Sequence, residues 1–148
     1  MDGDDAQELA QTKVGVLTPE QLLPIIEATC TGLAALHKEA IVHLDIKPQN
    51  ILMTKSGRIC LADFGISSKM KDQRKGHSGS GTILYAAPEQ LGGGECGVGS
   101  DIYAVGIMCY QLLTGAFPFD SRASAEIIME YFRFGCRIGL SGISEPAL

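Results

Sequence analysis

His43-Leu44-Asp45-Ile46-Lys47-Pro48-Gln49-Asn50 is the stretch that decides how this chain folds. Eight residues bring a carboxylate, an ammonium and a carboxamide into one short segment flanked by apolar runs. Just upstream, Ile41-Val42-His43 reads as a short strand. Downstream, Ile51-Leu52-Met53, a turn at Thr54-Lys55-Ser56-Gly57 and the run Arg58-Ile59-Cys60-Leu61-Ala62 read as a hairpin with rough alternation. A second carboxylate, Asp63, opens Asp63-Phe64-Gly65 at the far end of that hairpin. Folding the hairpin back carries Asp63 towards Asn50 and Asp45. Two oxygen-bearing side chains together with phosphate oxygens suit Mg²⁺, which keeps several waters and rarely sits in an all-protein cage. The third group, Asp45, is then available to accept a hydroxyl proton and orient that oxygen.

Further out, helices frame this segment. Thr18-Pro19-Glu20-Gln21 supplies an N-cap threonine, a proline at the first helical position and a glutamine able to close a capping box. Leu22, Ile26, Cys30, Leu33 and Leu36 follow at helical spacing, which predicts an amphipathic helix ending near His37. Pro24 removes an early backbone hydrogen bond and is expected to kink it. Residues 65–85 are rich in Ser, Gly and Lys without a lasting period, a length of structureless chain that usually signals function or disorder. Ser100 can cap a second helix over 101–114, with Gly115 as its stop. Apolar residues lie on all faces of this second helix, which predicts burial. Phe117-Pro118-Phe119 breaks the chain before a third helix over about 125–134. Residues 1–17 are polar and weakly patterned.

Composition narrows the class. The chain has 148 residues and a formal net charge of −5, enough for one domain or one large lobe with a sizeable core. Mild acidity argues against a nucleic-acid or anionic-membrane surface. The one basic stretch, Lys69 to Lys75, is interrupted by Asp72 and reads as a solvated loop. Five cysteines occur without a C-x-x-C pair, and His37, His43 and His77 do not fall at zinc-ligand spacings with them. Reduced thiols in the cytoplasm or nucleus are the expectation. The apolar run between Ile102 and Leu113 is too short to span a bilayer, and the acidic Met1-Asp2-Gly3-Asp4-Asp5 shows no targeting peptide. Gly92, Gly94 and Gly97 spell G-x-G-x-x-G, but follow Ala87-Pro88-Glu89 rather than a strand, so a plain loop is expected there.

The octet resembles the catalytic loop of the protein-kinase superfamily, H-R-D-x-K-x-x-N, and Asp63-Phe64-Gly65 resembles its magnesium loop. Gly81-Thr82-Ile83-Leu84-Tyr85-Ala86-Ala87-Pro88-Glu89 is similar to the family's substrate-docking segment ending in A-P-E, and Ser100-Asp101-Ile102-Tyr103-Ala104-Val105-Gly106 to the buried helix beneath it. Taken singly, each acid or hydroxyl has a plainer reading as a loop or helix-end group. Four motifs in the family's order, covering residues 18–134, lift the joint reading above those. The resemblance implies a mostly α fold with small β-hairpins, the C-terminal lobe of a kinase domain. Its parts would be a hinge-side linker over 1–17, the catalytic loop over 43–50, the activation segment over 63–89 and the buried helix over about 100–114.

It also implies roles. Asp45 would be the catalytic base, Lys47 would stabilise the transferring phosphoryl group, and Asn50 and Asp63 would hold Mg²⁺. Lys47 and Thr82 fit the serine/threonine class, with the Thr82 hydroxyl bridging Asp45 and Lys47. Leu52 would floor the adenine of ATP, Asp101 would anchor the catalytic-loop backbone, and His43 and Phe64 would pack internally. The implied partners are ATP and a protein substrate bearing a Ser or Thr hydroxyl.

The sequence departs from the family in three respects. No Gly-rich loop, strand lysine or helix glutamate precedes His43, so the N-terminal lobe is missing and the isolated chain is expected to be inactive. The arginine that would pair with Glu89 is absent, leaving Arg133 or Arg137 as weak substitutes. Leu44 stands where the family usually has an arginine that receives an activation-loop phosphate, so Ser67, Ser68, Ser78, Ser80 or Thr82 phosphates would find no partner there. Asp63-Phe64-Gly65-Ile66-Ser67 and Gly115-Ala116-Phe117-Pro118 are similar to MAP kinase kinases. Two competitors stand beside a serine/threonine kinase: a catalytically inactive remnant that binds proteins, and a small-molecule phosphotransferase, which Lys47 and the docking segment disfavour.

Overall fold

Thr18 starts the first helix as its sequence predicts. In the computed structural model, which describes residues 7–8, 16–62, 68–69, 83–120, 122 and 124–133, the Thr18 hydroxyl accepts from the Gln21 amide while Gln21 Oε1 accepts from the Thr18 N–H. Two orphan donors are satisfied reciprocally. Helix α1 then runs Pro19–Lys38, continuous through Pro24. Its buried face is Leu22, Ile25, Thr29 and Leu33, with Ile26 and Leu36 half-buried and Cys30 exposed. The expected stripe is therefore rotated slightly: Thr29 takes the inner position assigned to Cys30. Burial of that hydroxyl is tolerated because Thr29 Oγ1 donates to the Ile25 carbonyl at 2.7 Å.

Strand β1 (Gln7–Glu8) lies within the stretch that carried no pattern in the sequence. Strand β2 (Ile41–Val42) leads into the octet, and β3 (Ile51–Met53) leaves it. Strand β4 (Ile59–Leu61) pairs antiparallel with β3, Ile51 opposite Leu61 and Met53 opposite Ile59, while β1 adds to the other edge of β3. The turn is closed by Thr54, whose N–H reaches the Arg58 carbonyl and whose Oγ1 accepts from the Arg58 N–H. Strand β5 (Ser68–Lys69) pairs antiparallel with β2. Helix α1 packs across β4 through Gly32, where a Cβ would come within 3.3 Å of the Leu61 Cβ.

Past the hairpins, residues Ile83–Tyr85 form a 3-10 turn and α2 (Pro88–Leu91) a single helical turn. Helix α3 runs Val98–Thr114, three residues earlier than Ser100 as its cap would allow. Gly97 is the N-cap; Ser100 instead sits in the first turn, accepting from the Gly97 N–H and donating to Glu89 Oε1. The glycine triplet is thus a helix-to-helix loop. Gly92 N–H bonds the Pro88 carbonyl and Gly94 N–H bonds the Glu89 carbonyl, ending α2 rather than cradling a phosphate.

Gly115 stops α3 in the left-handed conformation, φ 73°, with its N–H on the Gln111 carbonyl. Helix α3 buries Ala104, Val105, Ile107 and Met108, yet Val98 and Ile102 on its other side are exposed, so its burial is broad but not complete. Helix α4 (Ala125–Arg133) plants Ile128 into the interior beside α2. The core is Leu22, Ile25 and Leu33 of α1, Ile46, Ile51, Tyr85, and the inner face of α3. Among the described residues no helix is long and apolar enough to cross a membrane.

Candidate functional site

The octet owes its shape to alternation. Ile46 and Pro48 point inward and are buried, so Asp45 and Lys47 emerge together on the opposite side. Lys47 Nζ lies 3.2 Å from Asp45 Oδ1. Residues Pro48–Asn50 then turn as a 3-10 helix, bringing Asn50 back beneath Asp45. Asn50 Nδ2 donates to the Asp45 carbonyl at 2.7 Å and to Asp45 Oδ2 at 3.0 Å. Each carboxylate oxygen of Asp45 therefore has its own donor. Asn50 spends its nitrogen on Asp45, which leaves Oδ1 as the end of the amide available for a cation.

A buried acid fixes the backbone around this cluster. Asp101, from the first turns of α3, is fully buried, and its carboxylate accepts from the His43 N–H at 2.9 Å, the Leu44 N–H at 2.8 Å and His37 Nε2 at 2.8 Å. A helix-end carboxylate favoured by the macrodipole is here the anchor of the loop. His43 is also fully buried. Its Nδ1 accepts from the Asp45 N–H at 3.2 Å, which puts the ring hydrogen on Nε2, facing the Ala62 carbonyl at 3.1 Å. Ala62, adjacent in sequence to Asp63, also donates its N–H to the Asn50 carbonyl at 2.9 Å. The octet and the end of β4 are stitched together at that residue.

Of the residues the sequence singled out, Asp45, Lys47 and Asn50 come together in one cluster. Leu52 sits half-buried in the middle of β3, opposite Cys60 and Glu8. Asp63, Phe64 and Thr82 lie outside the described residues, as does Arg137. Glu89 is held by Ser100, and among the described residues no cation pairs with it; Arg133 is exposed at the end of α4. Near Glu89 the hydroxyl of Tyr103 is buried with no hydrogen-bond partner among the described residues, and burial first, then the Glu89 charge, pushes its pKa up to about 12. Burial first, then the Glu89 charge and, more weakly, the Asp101 charge raise the Cys96 thiol.

Three contributors were not read from the sequence. His37 joins the Asp101 hub from the last turn of α1, Gln90 Nε2 donates to the Leu44 carbonyl at 2.9 Å, and the Tyr85 hydroxyl donates to Gln111 Oε1 at 2.8 Å. Periodicity carries no sign of these bonds, because each joins residues at least 26 apart in the chain.

Comparison with known proteins places the chain in a family. A family model described as "Protein kinase domain" matches residues 1–139. Serine/threonine-protein kinase PrkC of Bacillus subtilis is 40% identical over 124 residues, 82% of this chain and 19% of its own length. Probable serine/threonine-protein kinase PknB of Lactococcus lactis is 34% identical over 119 residues, 79% of this chain and 19% of its own. Serine/threonine-protein kinase PknL of Mycobacterium tuberculosis is 36% identical over 115 residues, 76% of this chain and 29% of its own. The chain thus spans less than a third of each of these relatives. They are bacterial kinases, and the likeness to MAP kinase kinases gains no support from them. With a buried aspartate clamping an Asp-x-Lys-x-x-Asn loop and a family match over nearly its whole length, the chain belongs to the protein kinase family, in the serine/threonine type, and corresponds to its C-terminal lobe.

Proposed function

We propose that the protein acts as a serine/threonine protein kinase, transferring the γ-phosphoryl group of ATP to protein hydroxyls. The observation that carries this reading is the two-sided grip on Asp45, Lys47 Nζ on one carboxylate oxygen and Asn50 Nδ2 on the other. In it, Asp45 accepts the proton of the substrate hydroxyl and aims that oxygen. Lys47, already at the carboxylate, offers its ammonium to the phosphoryl oxygens as charge moves across. Asn50 Oδ1 and the Asp63 carboxylate would hold Mg²⁺; the donor set fits, since an amide oxygen and one carboxylate leave room for phosphate oxygens and water. When bound, the ion supplies charge neutralisation at the phosphates. Leu52 would lie under the adenine, and Thr82 would bridge Asp45 and Lys47.

The test uses the full-length protein, with Mg·ATP and a Ser/Thr substrate. Asp45→Asn should lower kcat by ~10²–10⁴ while leaving circular dichroism unchanged. An unaltered rate would remove Asp45 from the chemistry. A second reading, an inactive module that binds proteins, draws on the exposed Val98, Ile102 and Ile127. It predicts that wild type and Asp45→Asn are equally silent.

A further inference from the structure

We propose that Gln90 is a positioning residue: its side-chain amide holds the Leu44–Asp45 peptide and so fixes the aim of Asp45 without a phosphate on the activation segment. This rests on the reading of Asp45 given above. Leu44 adopts φ 63°, a left-handed backbone in a residue with a branched side chain. Such a conformation is sterically disfavoured and persists only where the surroundings enforce it. Here both polar groups of Leu44 are bound. Its N–H donates to Asp101 Oδ1 at 2.8 Å, and its carbonyl accepts from Gln90 Nε2 at 2.9 Å.

The Leu44 carbonyl belongs to the same peptide plane as the Asp45 N–H, which donates to His43 Nδ1. Gln90 and His43 therefore grip opposite edges of one plane, and turning that plane breaks both bonds. Asp101 fixes the plane before it. What Gln90 adds is a link to a different element: it follows Glu89 in α2, and Glu89 is tied by Ser100 to α3. The turn that ends Ala87-Pro88-Glu89 is thus fastened at once to the helical core and to the octet. The Leu44 side chain is uncharged and offers nothing to a phosphate. The amide of Gln90 donates whatever the phosphorylation state, so the loop is held constitutively.

The experiment uses the full-length protein and two readouts, only one of which needs activity. Gln90→Leu keeps the size and removes the donor; Gln90→Glu removes the donor with a soluble side chain, should the first fail to fold; Gln90→Lys restores a donor. Amide hydrogen exchange across residues 43–47 should quicken about tenfold in Gln90→Leu or Gln90→Glu, as loss of one neutral hydrogen bond allows, and recover in Gln90→Lys. kcat should fall about tenfold at unchanged KM for ATP, with the same recovery. Unchanged exchange in both donor-less variants overturns the proposal. Faster exchange in a protein whose wild type transfers no phosphate would uphold the latch and overturn the kinase reading instead.

Discussion

Asp101 is the residue on which the local structure turns. Three donors from two elements converge on a carboxylate with no exposure, and two of them are backbone N–H groups of the octet. Removing an acceptor from buried donors costs the full desolvation of each, ~1–3 kcal/mol apiece. Asp101→Ala should therefore lower unfolding stability by about 3–5 kcal/mol in urea titrations. A loss under about 1 kcal/mol would show that water replaces the carboxylate freely. Asp45 should behave in the opposite way. Its ion pair with Lys47 is partly solvated, and pairs of that kind are worth ~0–1 kcal/mol, while the buried Asn50 amide keeps its bond to the Asp45 carbonyl, so loss of the carboxylate should touch chemistry and spare the fold. Tyr103 offers a third case. Its hydroxyl is buried without a partner among the described residues, so Tyr103→Phe should raise stability at neutral pH by about 1 kcal/mol. A drop in the thermal midpoint would mean that the hydroxyl has a partner after all.

At the scale of elements, α1 shows a local rule overridden by context. Pro24 lies in the sixth helical position, where it withholds a hydrogen bond from the Glu20 carbonyl, yet the helix is continuous. The capping box at Thr18 and Gln21 and the packing of Leu22, Ile25 and Leu33 hold it. Pro24 itself is exposed, so its carbonyl partner can turn to water. Restoring the bond with Pro24→Ala should stabilise the protein by about 1–3 kcal/mol, measured as a shift in urea midpoint at constant slope. Destabilisation would show that the rigid ring is needed where α1 begins. The β3–β4 hairpin was legible for the ordinary reason that a Ser-Gly turn separates two alternating runs. The start of α3 was not, because Ser100 serves Gly97 and Glu89 together, and only the fold brings Glu89 near.

Across the whole molecule, several acids are held protonated by burial. Tyr85 and Tyr103 are each raised from 10 to about 12, and Cys109 from 9 to about 11, all chiefly by desolvation. An unfolded chain would ionise these groups first, so the folded state binds more protons above pH 9. Their contribution is complete below about pH 9 and is lost as pH climbs to about 12. Urea midpoints should fall steadily across that window, and less steeply in Tyr103→Phe. A flat profile would mean the three groups titrate alike in both states.

How much of this was written in the chain depends on the range over which each signal acts. The octet, the hairpin, the Thr18 cap and the Gly115 stop are local: residues within a few positions of one another impose the geometry, and reading them in order was enough to give the family and the C-terminal-lobe fold. The short β1 strand, the inward turn of Thr29, the His37 contribution to Asp101 and the grip of Gln90 on Leu44 depend on partners brought near only by packing of α1, α2 and α3. A hydrogen bond between residues 46 or 64 positions apart leaves no periodic trace, because its free energy is realised only after the intervening chain has folded.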